Sequence, residues 1–277
     1  MGVPAWCAVN ELADATRLDG QGLSSSEPNI WGVSQLEDAF PATQLYDFHP
    51  GTIARFAALA ERALVAEFSV AKSFDTIWLS NHNLPTDVTL KLMTSATGVV
   101  GTWGSIWSAS VAQLGKTDFA EMLSAPVSSK YVALVLVGVG SLAAPWEIGE
   151  WGIGTRTAAP TSWEFDAAIR SRVGRRVSNR SQYGVLESKA LGTPARAYEG
   201  SIGLGEGPTG MDTLELLFSS TNYGASPFLW INDVADPVAI CATGEGLEEF
   251  APRLQAPGVY GSVSLRIEEV PRGRGTV

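Results

Sequence analysis

The chain of 277 residues carries 29 acidic against 19 basic residues, a formal charge of -10, and an acidic balance of that size repels phosphate backbones and anionic lipid surfaces. No direct nucleic-acid partner is therefore expected. Charged residues make up only 17% of a chain that is 45% hydrophobic, below the share usual for a free-standing globular protein, which favours a subunit with neighbours.

Residues 1–27 contain no Lys or Arg before Arg17 and no continuous apolar run after Met1, so no secretory signal is expected and the protein reads as one that stays in the cytosol where it is made. The segment ends in Ser24, Ser25, Ser26, Glu27 and Pro28, the composition of an arm and a linker. Over Thr52 to Glu67 the spacing of Ile53, Phe56, Leu59 and Leu64 is partly helical in an Ala-rich stretch, and propensity favours helix. From Leu64 onward short β-rich runs follow at Leu64 to Val70, Thr76 to Ser80, Val88 to Met93 and Tyr131 to Val137, separated by Asn, Pro, Gly and Ser clusters. That rhythm predicts a β-sandwich. Val88, Leu90 and Leu92 alternate with Asp87, Thr89 and Lys91 as in a half-buried strand, whereas Tyr131 to Val137 should be buried on both faces.

Two stretches have no charge, Leu92 to Gly115 and Tyr131 to Trp146. The first would span a bilayer by count alone, but its Ser, Thr, Gly and Gln113 make it too polar; the second is too short. No membrane insertion is expected. Residues 155–160 break the hydrophobic pattern with small residues and Pro160, as a linker would. Beyond it one helix is expected with Asp212 as N-cap and Glu215 three residues on, ending near Asn222 to Gly224. Strands are expected at Phe228 to Ile231, Val238 to Ala242 and Val259 to Ile267. The expected architecture is mainly β: an arm over 1–27, a sandwich over 28–154, a linker over 155–160 and a smaller α+β assembly domain over 161–277.

Several residues invite chemistry. Cys7 and Cys241, His49 and His82 form neither a disulfide framework nor a metal-ligand spacing, so neither metal nor cofactor is expected. Gly205 to Gly210 fits GxGxxG, yet Pro208 lacks an amide hydrogen and Glu206 repels phosphate, so a glycine-rich turn is the better reading. Glu147 and Glu150 sit three apart on an expected strand and face opposite sides, which separates them as a catalytic pair. Asp233 and Asp236 are accounted for as turn residues. No enzyme is expected.

Five arginines fall within eleven residues, Arg170, Arg172, Arg175, Arg176 and Arg180. They are candidates for an intersubunit surface pairing with acidic groups such as Glu245, Glu248 or Glu249 of another copy, against a solvated loop or a channel for DNA. Of nine tryptophans, Trp78 and Trp230 suit the core. Trp103, Trp107, Trp146 and Trp151 fall near expected loops or strand ends, where they either pack at interfaces or stack on sugar rings.

Pro41-Ala-Thr-Gln-Leu-Tyr-Asp47, Phe68 to Ser80 and above all the turn Asn81-His82-Asn83-Leu84 resemble the discoidin-type, galactose-binding-like modules of tailed-bacteriophage tail proteins. Trp146 to Gly154, Pro227 to Asp233 and Val263 to Val270 follow in the same order, while Ser95 to Ser129 has no counterpart. The resemblance implies a galactose-binding-like jelly-roll β-sandwich with a more extended Thr52 to Glu67. It also implies a virion structural protein, a minor tail, tail-tip or baseplate component assembled in the host cytoplasm. Copies of itself and other tail proteins would be its partners. The alternative is a carbohydrate-binding module for host-surface glycans.

Overall fold

The computed structural model describes residues 3–29, 34–48, 52–57, 61–114, 118–138, 145–161, 169–173, 176–180, 186–190, 195–204, 208–223, 225–232, 239–243, 253–256 and 259–270. The chain forms two compact units, one of Val9–Arg156 with Pro237–Ala239, the other of Met1–Ala8, Thr157–Asp236 and Ile240–Val277. Strand β1 (Ala5–Cys7) opens the second unit, and β2 to β9 build the first.

The first unit is a β-sandwich. Its strands are β2 (Arg17–Ser24), β3 (Glu27–Pro28), β4 (Ala54–Arg55), β5 (Arg62–His82), β6 (Thr89–Ser95), β7 (Gly104–Ser110), β8 (Asp118–Val137) and β9 (Glu147–Gly154), with the single turn α1 (Val111–Leu114) after β7. The path runs β3-β2-β5-β8-β6-β7, with β9 pairing β5 and β4. The two long strands explain how one path makes two layers. Arg62–Glu67 of β5 pairs Tyr131–Leu136 of β8 beside β2 and β6; further on, Thr76–Ser80 pairs Asp118–Met122 beside β9. Register shifts between Glu67 and Lys72 and between Phe74 and Thr76 mark the bend where the ladder passes from one sheet to the other.

Alternation decides what each layer buries. Leu64, Ala66, Val132, Leu134 and Leu136 face the main core with Leu90, Leu92, Ile77, Leu79 and Ile153. Ala63, Val65, Ala133 and Val135 face a second cluster closed by Trp103, Met93 and Tyr131. Tyr131 to Leu136 is accordingly buried on both faces, which is why it reads as a continuous apolar run.

Three expectations are corrected. The helical reading of Thr52 to Glu67 fails: Ala54 and Arg55 pair Ile148 and Glu147, and the chain from Arg62 is a central strand, so partners on both sides outweigh alanine's propensity. Residues 3–27 carry β1, a single helical turn over Glu11–Asp14 and β2 instead of an arm, because the Trp6 side chain is buried in the second unit and Arg17–Gly22 pairs β5. Within the expected linker, β10 (Thr157–Ala158) pairs β1.

The second unit continues with β11 (Ile169–Val173), β12 (Arg176–Arg180), β13 (Leu186–Ala190), β14 (Ala195–Gly203), helix α2 (Pro208–Ser220), β15 (Phe228–Ile231), β16 (Ala239–Thr243), β17 (Arg253–Ala256) and β18 (Val259–Glu269). Its sheet runs β10-β1-β15-β16-β18-β14-β11, and β12 pairs β13 separately. Leu214, Leu217 and Phe218, one face of α2, join Trp6, Tyr198, Phe228, Trp230, Val263, Leu265 and Ile267 in its core.

Asp212 is not the N-cap of α2, which begins four residues earlier with Pro208 in its first turn, where a missing amide hydrogen costs nothing. Gly210 allows that early start: a Cβ there would lie 1.7 Å from the Leu204 carbonyl oxygen. Gly210→Ala is expected to cost about 1–3 kcal/mol by overpacking a backbone that cannot yield. Gly22→Ala, where a Cβ meets nothing within 4 Å, serves as the control. Thermal unfolding of the two variants checks this, and equal midpoints would contradict it.

Candidate functional site

The tryptophans were the candidates for sugar stacking, and their placement separates them. Trp146 and Trp151 are each 1% exposed in the main core, and Trp146 meets Phe56 edge to face at 6.0 Å. Trp103 is 7% exposed and closes the second cluster. All three present their rings to protein, so the glycan reading is corrected for them. Trp107 is different. It lies half-buried on β7, stacked on Phe119 at 6.0 Å, and a hydrogen bond from it to Glu121 partly offsets the burial that pushes this carboxyl above its ordinary value.

The arginine cluster is divided between two strands of different sheets. Arg170 and Arg172 stand on β11 opposite Tyr198 and Arg196; Arg176 and Arg180 stand on β12 opposite Ala190 and Leu186. Arg175, Glu245, Glu248, Glu249, Asp233 and Asp236 lie outside the described residues. An arginine that the cluster reading passed over is firmly anchored: Arg196 donates from its guanidinium to both oxygens of Glu269, at 2.7 and 3.1 Å, the bidentate geometry that favours arginine over lysine.

The Asn81 to Leu84 turn uses one polar side chain on its own backbone, as its composition leads one to expect, and the others on neighbouring strands and loops. Asn81 has φ 52° and donates its amide to Asp118. His82 Nδ1 accepts from the Leu84 amide, while Asn83 bridges the Pro145 carbonyl and the Glu147 amide. Nearby Arg55 holds Glu147 at 2.6 Å and Glu37 at 3.6 Å, with its guanidinium 4.0 Å over the Phe40 ring. Glu147 is thereby occupied at the surface while Glu150 points into the protein, so the two carboxylates are apart.

Glu150 is fully buried. Asn10 donates to its Oε1 at 2.9 Å, and Oε2 has no partner at hydrogen-bonding geometry. Burial, and next the nearby Asp47 carboxylate, push this carboxyl well above the usual range, against the Asn10 hydrogen bond. No sequence signal marks it, because its setting is made by Asn10, 140 residues away in the chain.

The uncharged stretch that follows Met93 forms a surface. Ser95, Thr97 and Thr102 join hydroxyls at 2.7 and 3.0 Å, and Ser95 Oγ accepts from the Thr97 and Gly98 amides. This web braces the Gly98-Val99-Val100-Gly101 tip, whose glycines have φ 73° and 91°. Val99 and Val100 stand 59% and 39% exposed. The tip leads into β7, where only Ile106 and Trp107 are large and both are half-buried.

Among the described residues no group of three or more His, Cys, Asp or Glu is placed to hold a metal ion, and no helix is long and apolar enough to cross a membrane. No family model and no curated protein matches the chain. Solved structures similar to it include a family 32 carbohydrate-binding module of Clostridium perfringens, 16% identical, covering 52% of this chain and 97% of that one at TM-score 0.38. Another is the family 32 module of C. perfringens NanJ in complex with galactose, 8% identical, covering 54% and 98% at TM-score 0.37. A third is a chitosan-binding module from Paenibacillus sp. IK-5, 11% identical, covering 53% and 98% at TM-score 0.38. At TM-scores below 0.5 the likeness carries nothing about ligand or role. On its own strand order the chain is mainly β, with a β-sandwich as its first unit.

Proposed function

We propose that the protein is a non-catalytic structural subunit that works by contact with other proteins, as a component of a phage or phage-like tail. The observation that carries the contact role is the uncharged flank of the sandwich. In a chain of charge -10, Leu92 to Leu114 has no ionisable side chain and ends up along one margin with a braced apolar tip. Exposed apolar side chains held rigid cost solvation and lose little entropy on docking, which is the economy of an interface. The tail assignment is supported by the sequence resemblance alone, and the flank from Ser95 onward lies within the stretch that has no counterpart there.

The double change Val99→Asp and Val100→Asp is expected to reduce association at least tenfold with circular dichroism unchanged, since two charges must then be desolvated at the contact. Light scattering of the purified chain, with and without candidate glycans, measures it. A chain that remains monomeric and binds sugar would sink this reading.

Recognition of host-surface glycans is the second reading, favoured by the half-exposed Trp107 beside Glu121. Quenching of Trp107 fluorescence by galactose, lost in Trp107→Phe, is what it requires.

A further inference from the structure

Strands β11 and β14 pair antiparallel from Ile169↔Glu199 to Val173↔Ala195, and between them in the sequence β12 and β13 pair from Arg176↔Ala190 to Arg180↔Leu186. The chain therefore runs out and back as nested hairpins. Strand β18 pairs β14 no further than Ala197, and β12 and β13 pair no other described strand, so the outer part is a ribbon two strands wide. Its composition differs from that of the rest of the protein. Strands β11 to β13 hold Arg170, Arg172, Arg176, Arg180 and Lys189 against Glu187 as their one acidic residue. With five of the chain's 19 basic residues and one of its 29 acidic ones they carry a net +4, which leaves 14 basic against 28 acidic residues elsewhere. Arg196, on β14, is engaged by Glu269 and is not counted with them. The formal charge of -10 is thus the sum of a basic hairpin and a more acidic remainder, and the repulsion of phosphate expected from the sum does not hold at the hairpin.

We infer that this hairpin binds the phosphate backbone of double-stranded DNA, without regard to sequence. The inference goes beyond the contact role proposed above and does not rest on it. Three features favour a duplex over other acidic partners. A two-stranded ribbon is of a width that the major groove of a DNA duplex admits. Four of the five basic residues are arginine, whose planar guanidinium makes paired hydrogen bonds to phosphate, and Ser171, Ser178 and Asn179 add neutral donors of the kind that contact phosphate and sugar. No residue of β11 to β13 is aromatic, so the strands lack both the anchors usual at a protein interface and the platforms on which unpaired bases stack. Repulsion from the acidic remainder is screened over a Debye length, about 10 Å at 0.1 M salt, whereas contacts made by the ribbon itself are direct.

The test is fluorescence anisotropy of a short labelled DNA duplex of mixed sequence titrated with the full chain, at salt from about 50 to 200 mM. Binding is expected at the low end and weakens on the order of a hundredfold over that range, the dependence that follows from releasing the counterions of about four phosphates. Arg176→Gln with Arg180→Gln is expected to weaken binding at least tenfold and to reduce the logarithmic salt slope by about 2, with circular dichroism unchanged. Arg17→Gln, which removes a like charge from an exposed position on β2, is expected to bind as the wild type does. Absence of binding at about 50 mM salt overturns the inference, as does a loss in Arg17→Gln equal to that in the double variant, or tighter binding to a single strand of the same length. Light scattering of the same proteins reads the rival occupant. A chain that ignores the duplex but self-associates, and loses that association in the double variant, assigns the hairpin to an acidic protein surface and overturns the DNA contact.

Discussion

Trp78→Ala is expected to destabilise the sandwich unit by about 3–5 kcal/mol, the range for removing a fully buried aromatic side chain. Trp78 is 1% exposed and lies across two glycines of the neighbouring strand: a Cβ at Gly152 would fall 2.0 Å from its ring, and one at Gly154 would fall 3.3 Å away. On its other side Phe48 stacks nearly parallel at 5.8 Å, tying the segment after the short helical turn Ala42–Leu45 to the sheet. Truncation therefore leaves a cavity walled by backbone, which closes poorly. Urea unfolding measures the loss as a lower midpoint at constant slope, and a loss below about 1 kcal/mol would contradict this packing. Gly152→Val tests the same contact from the opposite strand and is expected to destabilise as well, by overpacking.

Stability is expected to fall as pH rises above the carboxylate range, and Glu150 is the cause. Burial and the charge of Asp47 hold its folded-state value well above the ordinary one, so between the two values the native state keeps a proton that the unfolded chain has released. Unfolding then releases a proton and stability declines with pH by about 1.4 kcal/mol per unit. The contribution is complete below the unfolded value, about pH 4.3, and is lost as pH passes through the folded value. Glu150→Gln keeps the shape and the contact with Asn10 but cannot ionise. It is expected to remove this slope and to exceed the wild type in stability at alkaline pH. Parallel slopes for the two proteins from pH 5 to 9 would refute the assignment.

The strands that read best from sequence are those whose burial follows a local rule. Val88, Leu90 and Leu92 alternate because one face of β6 meets the core, and Tyr131 to Leu136 runs unbroken because both faces are covered. The Asn81 to Leu84 turn was legible in the part that is local, the bond from the Leu84 amide to His82 Nδ1, whereas its bonds to Asp118, Pro145 and Glu147 could not be read from the segment. What misled was partnership at a distance. Thr52 to Glu67 has the local preference of a helix, yet Ala54 is claimed by Ile148 and Ala63 by Val135. Residues 1–27 look like an arm until their partners are known: Trp230 beside Trp6, and Leu64 beside Gly20.

Composition and alternation by themselves determined that this chain is rich in strands, acidic, and crossed by a stretch without charge, because each of those properties is carried by neighbouring residues. Only the tertiary structure decided which of the described tryptophans are enclosed, which carboxyl is trapped, and where the uncharged stretch comes to lie. Trp103 and Trp107 are four positions apart, yet one closes a core and the other lies half-open at a margin. Asn10 reaches across 140 residues to Glu150. Such facts depend on which strands become neighbours, and strand pairing joins segments too far apart for any local pattern to record.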